Sequence, residues 1–510
     1  MGRVVVVSNR VMDPAQAAQA GGVAVALSEV LQSNGGLWFG WSGTVQADVD
    51  DAIEITNVNE QLAIATVPLT PQEHQGYYLG YANSVLWPVF HNRLDLAQFE
   101  AGFFDIYASV NKRLAVSLKP LLRPDDTIWV HDYHLMTLAW ELRALNVNNP
   151  IGYFLHIPFP PAQTFFAVPE HKQLARMLAA YDLIGLQTQA DVANLLDYLK
   201  HGVRGRILQD GRIRAFDQVL SIGSFPVSID PAEFVSAKPR QGLAQGGPTV
   251  RRIIGVDRLD YTKGLPQKFH AFARFLEKYP ENCGQVVLTQ IAPPTRESVE
   301  AYTDIRTELE TLSGSINGRF GELDWVPIHY IHRPIPRKQL GDIYRSARIG
   351  LVTPMRDGMN LVAKEYVAAQ DPADPGVLIL SRFAGAAEQL TDALIVNPYN
   401  VDEMADAIQT ALQMVQAERV RRHAAMLDVI RQRDTFAWSR TFLGALADVR
   451  SKEASASGGP PTPELRETLR QLARRAGRRP SSTRPAGEPE VEAAAETAVE
   501  RRHRSAPRPD

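Results

Sequence analysis

The sequence predicts an α/β protein of two doubly wound, Rossmann-like domains facing a deep cleft, and three observations carry that prediction. Short unbroken apolar runs recur at residues 4–7, 128–130, 153–155, 183–186, 253–256, 286–289, 349–353 and 377–380, most of them followed by amphipathic stretches. Strands that are apolar on both faces belong to parallel sheets covered by helices on either side. A Gly- and Pro-rich stretch at 237–248 interrupts the pattern near its middle, as a linker would. A chain of 510 residues is also long for one core. The expected division is 1–240, 241–450 and a tail, 451–510.

The first run ends in Ser8-Asn9-Arg10, and Gly21-Gly22 then opens a helical pattern over 23–31. The run at 128–130 precedes His131-Asp132-Tyr133-His134, and that at 153–155 precedes His156 and the stiff Pro158-Phe159-Pro160. The second half opens with the strand at 252–256. Because ligands of doubly wound sheets bind at the carboxyl ends of strands, the residues just after each run are the candidates for chemistry. The tail holds 12 basic and 9 acidic residues and no aromatic one, so it carries +3 and the remainder −6. Beyond one short amphipathic stretch at 464–476 it cannot bury enough apolar area to offset ordering, and it reads as disordered.

Composition narrows the function. With 54 basic and 57 acidic residues the formal charge is −3, which argues against a general nucleic-acid binder. A single cysteine, Cys283, excludes an intramolecular disulfide and suits a reducing, cytoplasmic setting. Four apolar residues near the N-terminus fall short of a signal-peptide core, and no later run would span a bilayer.

Two clusters in the second half carry the most chemistry. Arg356-Asp357-Gly358-Met359-Asn360 leads to Glu365. Here Gly358 would take a turn with φ > 0, and Asn360 would cap a helix running through Ala369. The helix N-terminus would face phosphates or sugar oxygens, with Asp357 accepting from sugar hydroxyls. Taken alone, the pattern fits a capped surface helix equally well. Asp257-Arg258-Leu259-Asp260-Tyr261-Thr262-Lys263-Gly264 places two cations five residues apart after a strand. Arg258 could fork onto diphosphate oxygens and Lys263 add a point charge, although alone this cluster reads better as a solvated charged loop. In the first half, Asp132 would accept from an acceptor hydroxyl, since the spacing of His131-Asp132-Tyr133-His134 matches no strong metal signature. His156 is either a satisfied core histidine or a site residue at a strand end. No Gly-x-Gly-x-x-Gly follows the first strand, which disfavours a nucleotide-dependent dehydrogenase.

Together these motifs resemble the trehalose-6-phosphate synthase family of retaining glycosyltransferases, family 20. The likeness runs over about residues 1–450. It is carried by Val-Ser-Asn-Arg10, Ala20-Gly-Gly-Val23, Leu37-Trp-Phe-Gly-Trp-Ser-Gly43, Ser84-Val-Leu-Trp-Pro88, Trp129-Val-His-Asp-Tyr-His-Leu135 and Phe154-Leu-His-Ile-Pro-Phe-Pro160. In the second half the carriers are Val256–Gly264, Thr353–Glu365 and Ser381–Ala387. The resemblance implies a GT-B fold and transfer of glucose from UDP-glucose to glucose 6-phosphate, giving α,α-trehalose 6-phosphate and UDP. It implies donor binding by Gly21, Gly22, Arg258, Lys263, Ile335, Asp357, Leu361, Val362, Ala363, Lys364 and Glu365. Arg258 and Lys263 would sit on the diphosphate, Glu365 on the ribose and Asp357 on the glucose. It implies acceptor binding by Arg10, Tyr78, Asp132 and Arg296, with Arg10 and Arg296 on the 6-phosphate, and α-anomer selection by Trp87 and His156. The reaction would proceed on one face, with Asp357, His156, Arg258 and Lys263 as the catalytic set, without a metal or other cofactor. Its partners would be the two small substrates, not nucleic acid or membrane; a homo-oligomer, dimer or tetramer, is also allowed.

Two departures stand out. Ser228 occupies a place where the family usually has Gly, which bears on linker geometry. Pro334-Ile335-Pro336 brackets with proline a loop expected to touch the nucleotide, which bears on the choice between uridine and guanosine donors. Two alternatives are a same-fold synthase using glycerol 3-phosphate and a silent sugar-phosphate sensor. The first would change the acceptor wall, and the second would lose Asp357, Arg258 or Lys263; neither change is seen.

Overall fold

The structure, a computed structural model, describes residues 2–11, 27–28, 30–31, 35–47, 49, 53–235, 250–295 and 300–456. Gly21, Gly22, Arg296, the linker core at 236–249 and the tail from 457 lie outside the described residues.

Ten strands form the first sheet: β1 (Val4–Arg10), β2 (Gly36–Val45), β3 (Glu54–Asn57), β4 (Leu62–Leu69), β5 (Thr127–His131), β6 (Ile151–Phe154), β7 (Leu183–Leu186), β8 (Arg206–Ile207), β9 (Ile213–Ala215) and β10 (Gln218–Ser224). Their order is β3-β4-β2-β1-β5-β6-β7-β10-β9-β8. The central strands pair in parallel, while β3 on one edge and β9 and β8 on the other run antiparallel. The second sheet is parallel throughout: β11 (Arg251–Val256), β12 (Val286–Ile291), β13 (Ile328–Ile331), β14 (Ile349–Val352), β15 (Val377–Ser381) and β16 (Leu394–Val396). Its order, β13-β12-β11-β14-β15-β16, is 3-2-1-4-5-6 counted from β11, that of a dinucleotide-binding sheet. Strand order reverses between β11 and β14, and in the first sheet between β1 and β5. Each reversal opens a crevice at the strands' carboxyl ends.

The apolar runs form strands because both faces are covered. Val5, Val6 and Val7 are fully buried, as are Ile128, Trp129 and Val130, and every residue of β12, β14 and β15 is buried. Helices Leu265–Lys278 and Glu300–Phe320 cover one face of the second sheet, meeting its core through Phe269, Phe272, Phe275, Ile305 and Leu309. The final helix, Thr435–Ala456, returns to the first sheet. Phe442 stacks on Trp129 at a ring-centroid distance of 5.0 Å, and Trp438 packs against it, tilted, at 4.9 Å. Gly152 and Gly185 leave the room Phe442 fills, since a Cβ at either would crowd its ring. A segment that follows the second sheet in sequence therefore packs with the first.

One element has an unusual form. Residues His74–Leu86 make a π-helix leading directly into the short helix Trp87–Phe90. Two side chains reinforce its wide turns by reaching back five residues: Asn83 Nδ2 donates to the Tyr78 carbonyl and Ser84 Oγ to that of Leu79, both at 2.8 Å. Such stretches are rare and occur frequently at functional sites.

Candidate functional site

The strongest feature lies where β11 and β14 part. After β11, Asp260 caps the turn Tyr261–Lys263 by accepting from Thr262 N at 2.9 Å, and Gly264 closes it in the left-handed region at φ 64°. That turn projects Lys263, whose ammonium meets Asp357 Oδ2 at 2.5 Å across from the loop after β14. Asp357 also accepts from Gly358 N at 3.0 Å and from Asn360 Nδ2 at 3.1 Å. Burial alone would raise the Asp357 carboxyl, but Lys263, with His91 and Arg258 beyond it, holds it below its ordinary value. The two residues assigned by sequence to diphosphate and sugar thus form one ion pair. Only one of the three ammonium donors of Lys263 is committed to it, and Asp357 keeps acceptor capacity on both oxygens.

Two sequence expectations about this loop fare differently. Asn360 is the N-cap of helix Leu361–Ala369, accepting from Ala363 N at 3.4 Å. Gly358 is not among the residues with positive φ; the left-handed position is Asn360 itself, at φ 71°. Glycine is required at 358 for another reason, since a Cβ there would collide with the His156 carbonyl oxygen. The loop after β14 is therefore pressed against the loop after β6, and the two halves meet there.

On the opposing wall, Arg258 lies over the Trp87 ring at 5.6 Å, a cation–π arrangement. Trp87 packs on His91 at 4.3 Å, and its carbonyl lies 2.8 Å from His91 Nδ1. Burial pushes His91 down to about 4, so it is neutral at physiological pH beside Lys263 and Asp357. Sequence reasoning missed His91, although its place four residues after Trp87 puts it on the same helical face.

Asp132 and His156 are joined directly, the His156 amide donating to Asp132 Oδ1 at 3.2 Å. Asp132 has φ 75° and ψ 166°, a costly backbone for a non-glycine residue and one that clusters at functional sites. The His156 ring lies 3.1 Å from His131 Nδ1 through Nε2, and its buried Nδ1 has no hydrogen-bond partner. Burial lowers it to about 3, so it too is neutral. At the end of β1, the exposed Arg10 guanidinium folds against Gly43, where a Cβ would crowd it. Tyr78 stands beside Trp41 at 5.3 Å and stacks on His134 at 5.9 Å. Arg10, Tyr78 and Asp132 therefore line the first sheet's crevice, while Arg296 lies outside the described residues.

Glu365, on the helix that Asn360 caps, has both oxygens engaged: Oε1 by Arg337 Nη1 at 2.8 Å and Oε2 by the Tyr344 hydroxyl at 3.0 Å. Neither partner was found from sequence. The signal for Arg337 was its place as first residue of a helix, directly after the Pro-bracketed loop. Ile335, in that loop, is half-buried and packs against the apolar cluster holding Ala363 and Tyr366. Leu361 and Val362 are half-buried at the helix start, Ala363 is buried, and Lys364 runs inward to the Val227 carbonyl at 2.7 Å. At Ser228 the backbone has no positive φ, so the glycine expected there by family likeness is not needed for conformation.

Among the described residues no group of three or more His, Cys, Asp or Glu is placed to hold a metal ion, and no helix is long and apolar enough to cross a membrane. The glycosyltransferase family 20 model matches residues 6–448. The trehalose-6-phosphate synthase of Klebsiella pneumoniae is 48% identical over 467 residues, covering 90% of this chain and 98% of that protein. An α,α-trehalose-phosphate synthase (UDP-forming) from Burkholderia xenovorans, solved in complex with glucose-6-phosphate, superposes with a TM-score of 0.84 at 46% identity, covering 88% of this chain and all of the other. An E. coli structure bound with UDP-2-fluoro glucose gives 0.83 at 47% identity, covering 87% and 99%. The two-sheet arrangement is the GT-B fold that the sequence motifs imply.

Proposed function

The chain belongs to glycosyltransferase family 20, and on that premise we propose that it moves glucose from UDP-glucose to glucose 6-phosphate, releasing UDP and forming α,α-trehalose 6-phosphate. The observation that carries the reading is the pairing of crevices. Arg258, Lys263, Asp357 and Glu365 follow the two strands flanking the second sheet's reversal; of those flanking the first, Arg10 ends β1 and Asp132 follows β5.

The second half holds the donor. Arg258 and Lys263 take the diphosphate, supported by the N–H groups of the first turn of helix Leu361–Ala369, which have no intrahelical partner apart from the Asn360 cap. Asp357 receives the glucose hydroxyls and Glu365 the ribose. The first half holds the acceptor, with Arg10 on its phosphate and Tyr78 and Asp132 on its sugar, while Trp87 and His156 shape the pocket around the reacting centre.

The anomeric C–O bond to UDP breaks as positive charge builds on the glucose ring, and the acceptor's anomeric hydroxyl bonds to that carbon on the same face. Its proton passes to the departing phosphate oxygen. Arg258 and Lys263 stabilise charge on the leaving diphosphate in a partly buried site, where fixed cations act most strongly. The neutral histidines His91 and His156 leave that positive field undivided. The protein contributes position and charge and no nucleophile. The single cysteine, Cys283, half-buried and unbridged, suits the cytoplasm, where both substrates would be met.

The test is UDP release from UDP-glucose with a panel of phosphorylated acceptors, before and after exhaustive chelation. Turnover with glucose 6-phosphate that survives chelation is expected. Turnover with glycerol 3-phosphate alone would overturn the acceptor, loss on chelation the metal-free reading, and no turnover with any acceptor would leave a sensor.

A further inference from the structure

Arg337 ties three pieces of chain together. Its Nη1 serves Glu365, its Nε and Nη2 reach Glu233 Oε2 at 3.2 and 3.0 Å, and its guanidinium lies over the Phe234 ring at 4.8 Å. Glu233 and Phe234 belong to the 3₁₀ turn Pro231–Phe234, which closes the path out of the first sheet. Pro336, at φ −55° and ψ 134°, is the N-cap that launches helix Arg337–Arg345. A cation at that end opposes the helix dipole, so its placement is set by its partners. Burial would lower its pKa, and the carboxylates of Glu365 and Glu233 more than reverse this.

Only 5% of the Glu365 side chain is exposed, so a ligand reaches it from one direction. Arg337 on one oxygen and Tyr344 on the other fix the rotation of the carboxylate, a torsion that is otherwise broad. Each oxygen keeps an acceptor position. Two fixed acceptors side by side match the adjacent hydroxyls of a ribose.

We propose that Arg337 is a positioning residue for nucleotide recognition, orienting Glu365 toward both ribose hydroxyls of the donor and joining that contact to the turn between the sheets. This rests on the reading of Glu365 as the ribose acceptor. Pro334-Ile335-Pro336 then gains a role, since it fixes where Arg337 begins.

The test compares KM and kcat for UDP-glucose and its 2′-deoxy- and 3′-deoxyuridine analogues in wild type, Glu365→Ala, Arg337→Ala and Arg337→Lys, with melting followed in parallel. Wild type should discriminate against the deoxy donors by about tenfold or more, and Glu365→Ala should abolish that preference. Arg337→Ala should raise KM for UDP-glucose about tenfold, change kcat little, and lose the preference as Glu365→Ala does. Arg337→Lys, with charge but no fork, should recover part of it; this variant also answers if Arg337→Ala fails to fold. Full discrimination retained by both Arg337 variants, with Glu365→Ala losing it, overturns the positioning role and spares the ribose reading. Discrimination retained by Glu365→Ala overturns the ribose reading and this inference with it.

Discussion

Asp357 and Lys263 show what a residue's chemistry owes to its partner. Their side chains are 14% and 10% exposed, so breaking the pair leaves a largely buried charge uncompensated. Lys263→Met should therefore cost about 3 kcal/mol of stability. Asp357→Asn should lower kcat while the protein still folds and binds UDP. Combined, the two should recover much of the Lys263→Met stability loss in chemical denaturation and none of the activity; simple additivity would refute the coupling. The carboxyl sits below its ordinary 3.8, so its stabilising share is present above that pH and is lost as pH falls through the lower, folded value. Sequence made Asp357, Lys263, Asn360 and Glu365 legible because each stands in a motif beside a strand end. Arg337 and Tyr344 were not, because what matters about them is a contact with Glu365 across 28 and 21 residues of chain, and spacing carries no trace of it.

At the scale of elements, the strands that were legible are those whose unbroken apolar runs reflect burial on two faces. The edge strands were not. β3 is exposed along its whole length and β8 likewise, so neither has a pattern to read. The π-helix also left no signature, because its periodicity is neither that of a strand nor of an ordinary helix. Helix Leu361–Ala369 was anticipated, but its inward lysine was not. Burial lowers Lys364 to about 7, against an ordinary 10.5. Between those values the unfolded chain holds a proton that the folded one has released, so stability should rise with pH across that window. A rise of up to ~5 kcal/mol is expected if the whole shift is expressed. In Lys364→Met the rise should vanish, although the Val227 carbonyl then loses its donor and the variant is less stable near pH 10. Denaturant unfolding at pH 7 to 10.5 measures both; an unchanged slope in Lys364→Met would show that Lys364 is charged in the folded protein.

For the whole molecule, the decisive event is the return of the last helix to the first sheet. A linear division of the sequence puts residues 435–450 with the second half, because nothing local in Thr435–Ala456 says which sheet it will cover. The reason is geometric: Gly152 and Gly185 on neighbouring strands β6 and β7 open a recess, and Phe442 enters it between Phe154, Phe225 and Trp129. The chain thus passes between the halves twice, once after β10 and before β11 and once before Thr435. The helix is part of the first half's core, and the residues beyond it are outside both the family match, which ends at 448, and the composition that buries a core. Two chain endings should therefore behave oppositely. Ending the chain after Ala456 should leave turnover and melting close to those of the full chain. Ending it after Asp434 should expose Trp129 and Phe154 and abolish folding. Phe442→Ala, which keeps the helix and removes only the ring, should cost about 3–5 kcal/mol. Calorimetry on the three proteins separates the cases, and a folded, active protein ending at Asp434 would mean that the second crossing is dispensable.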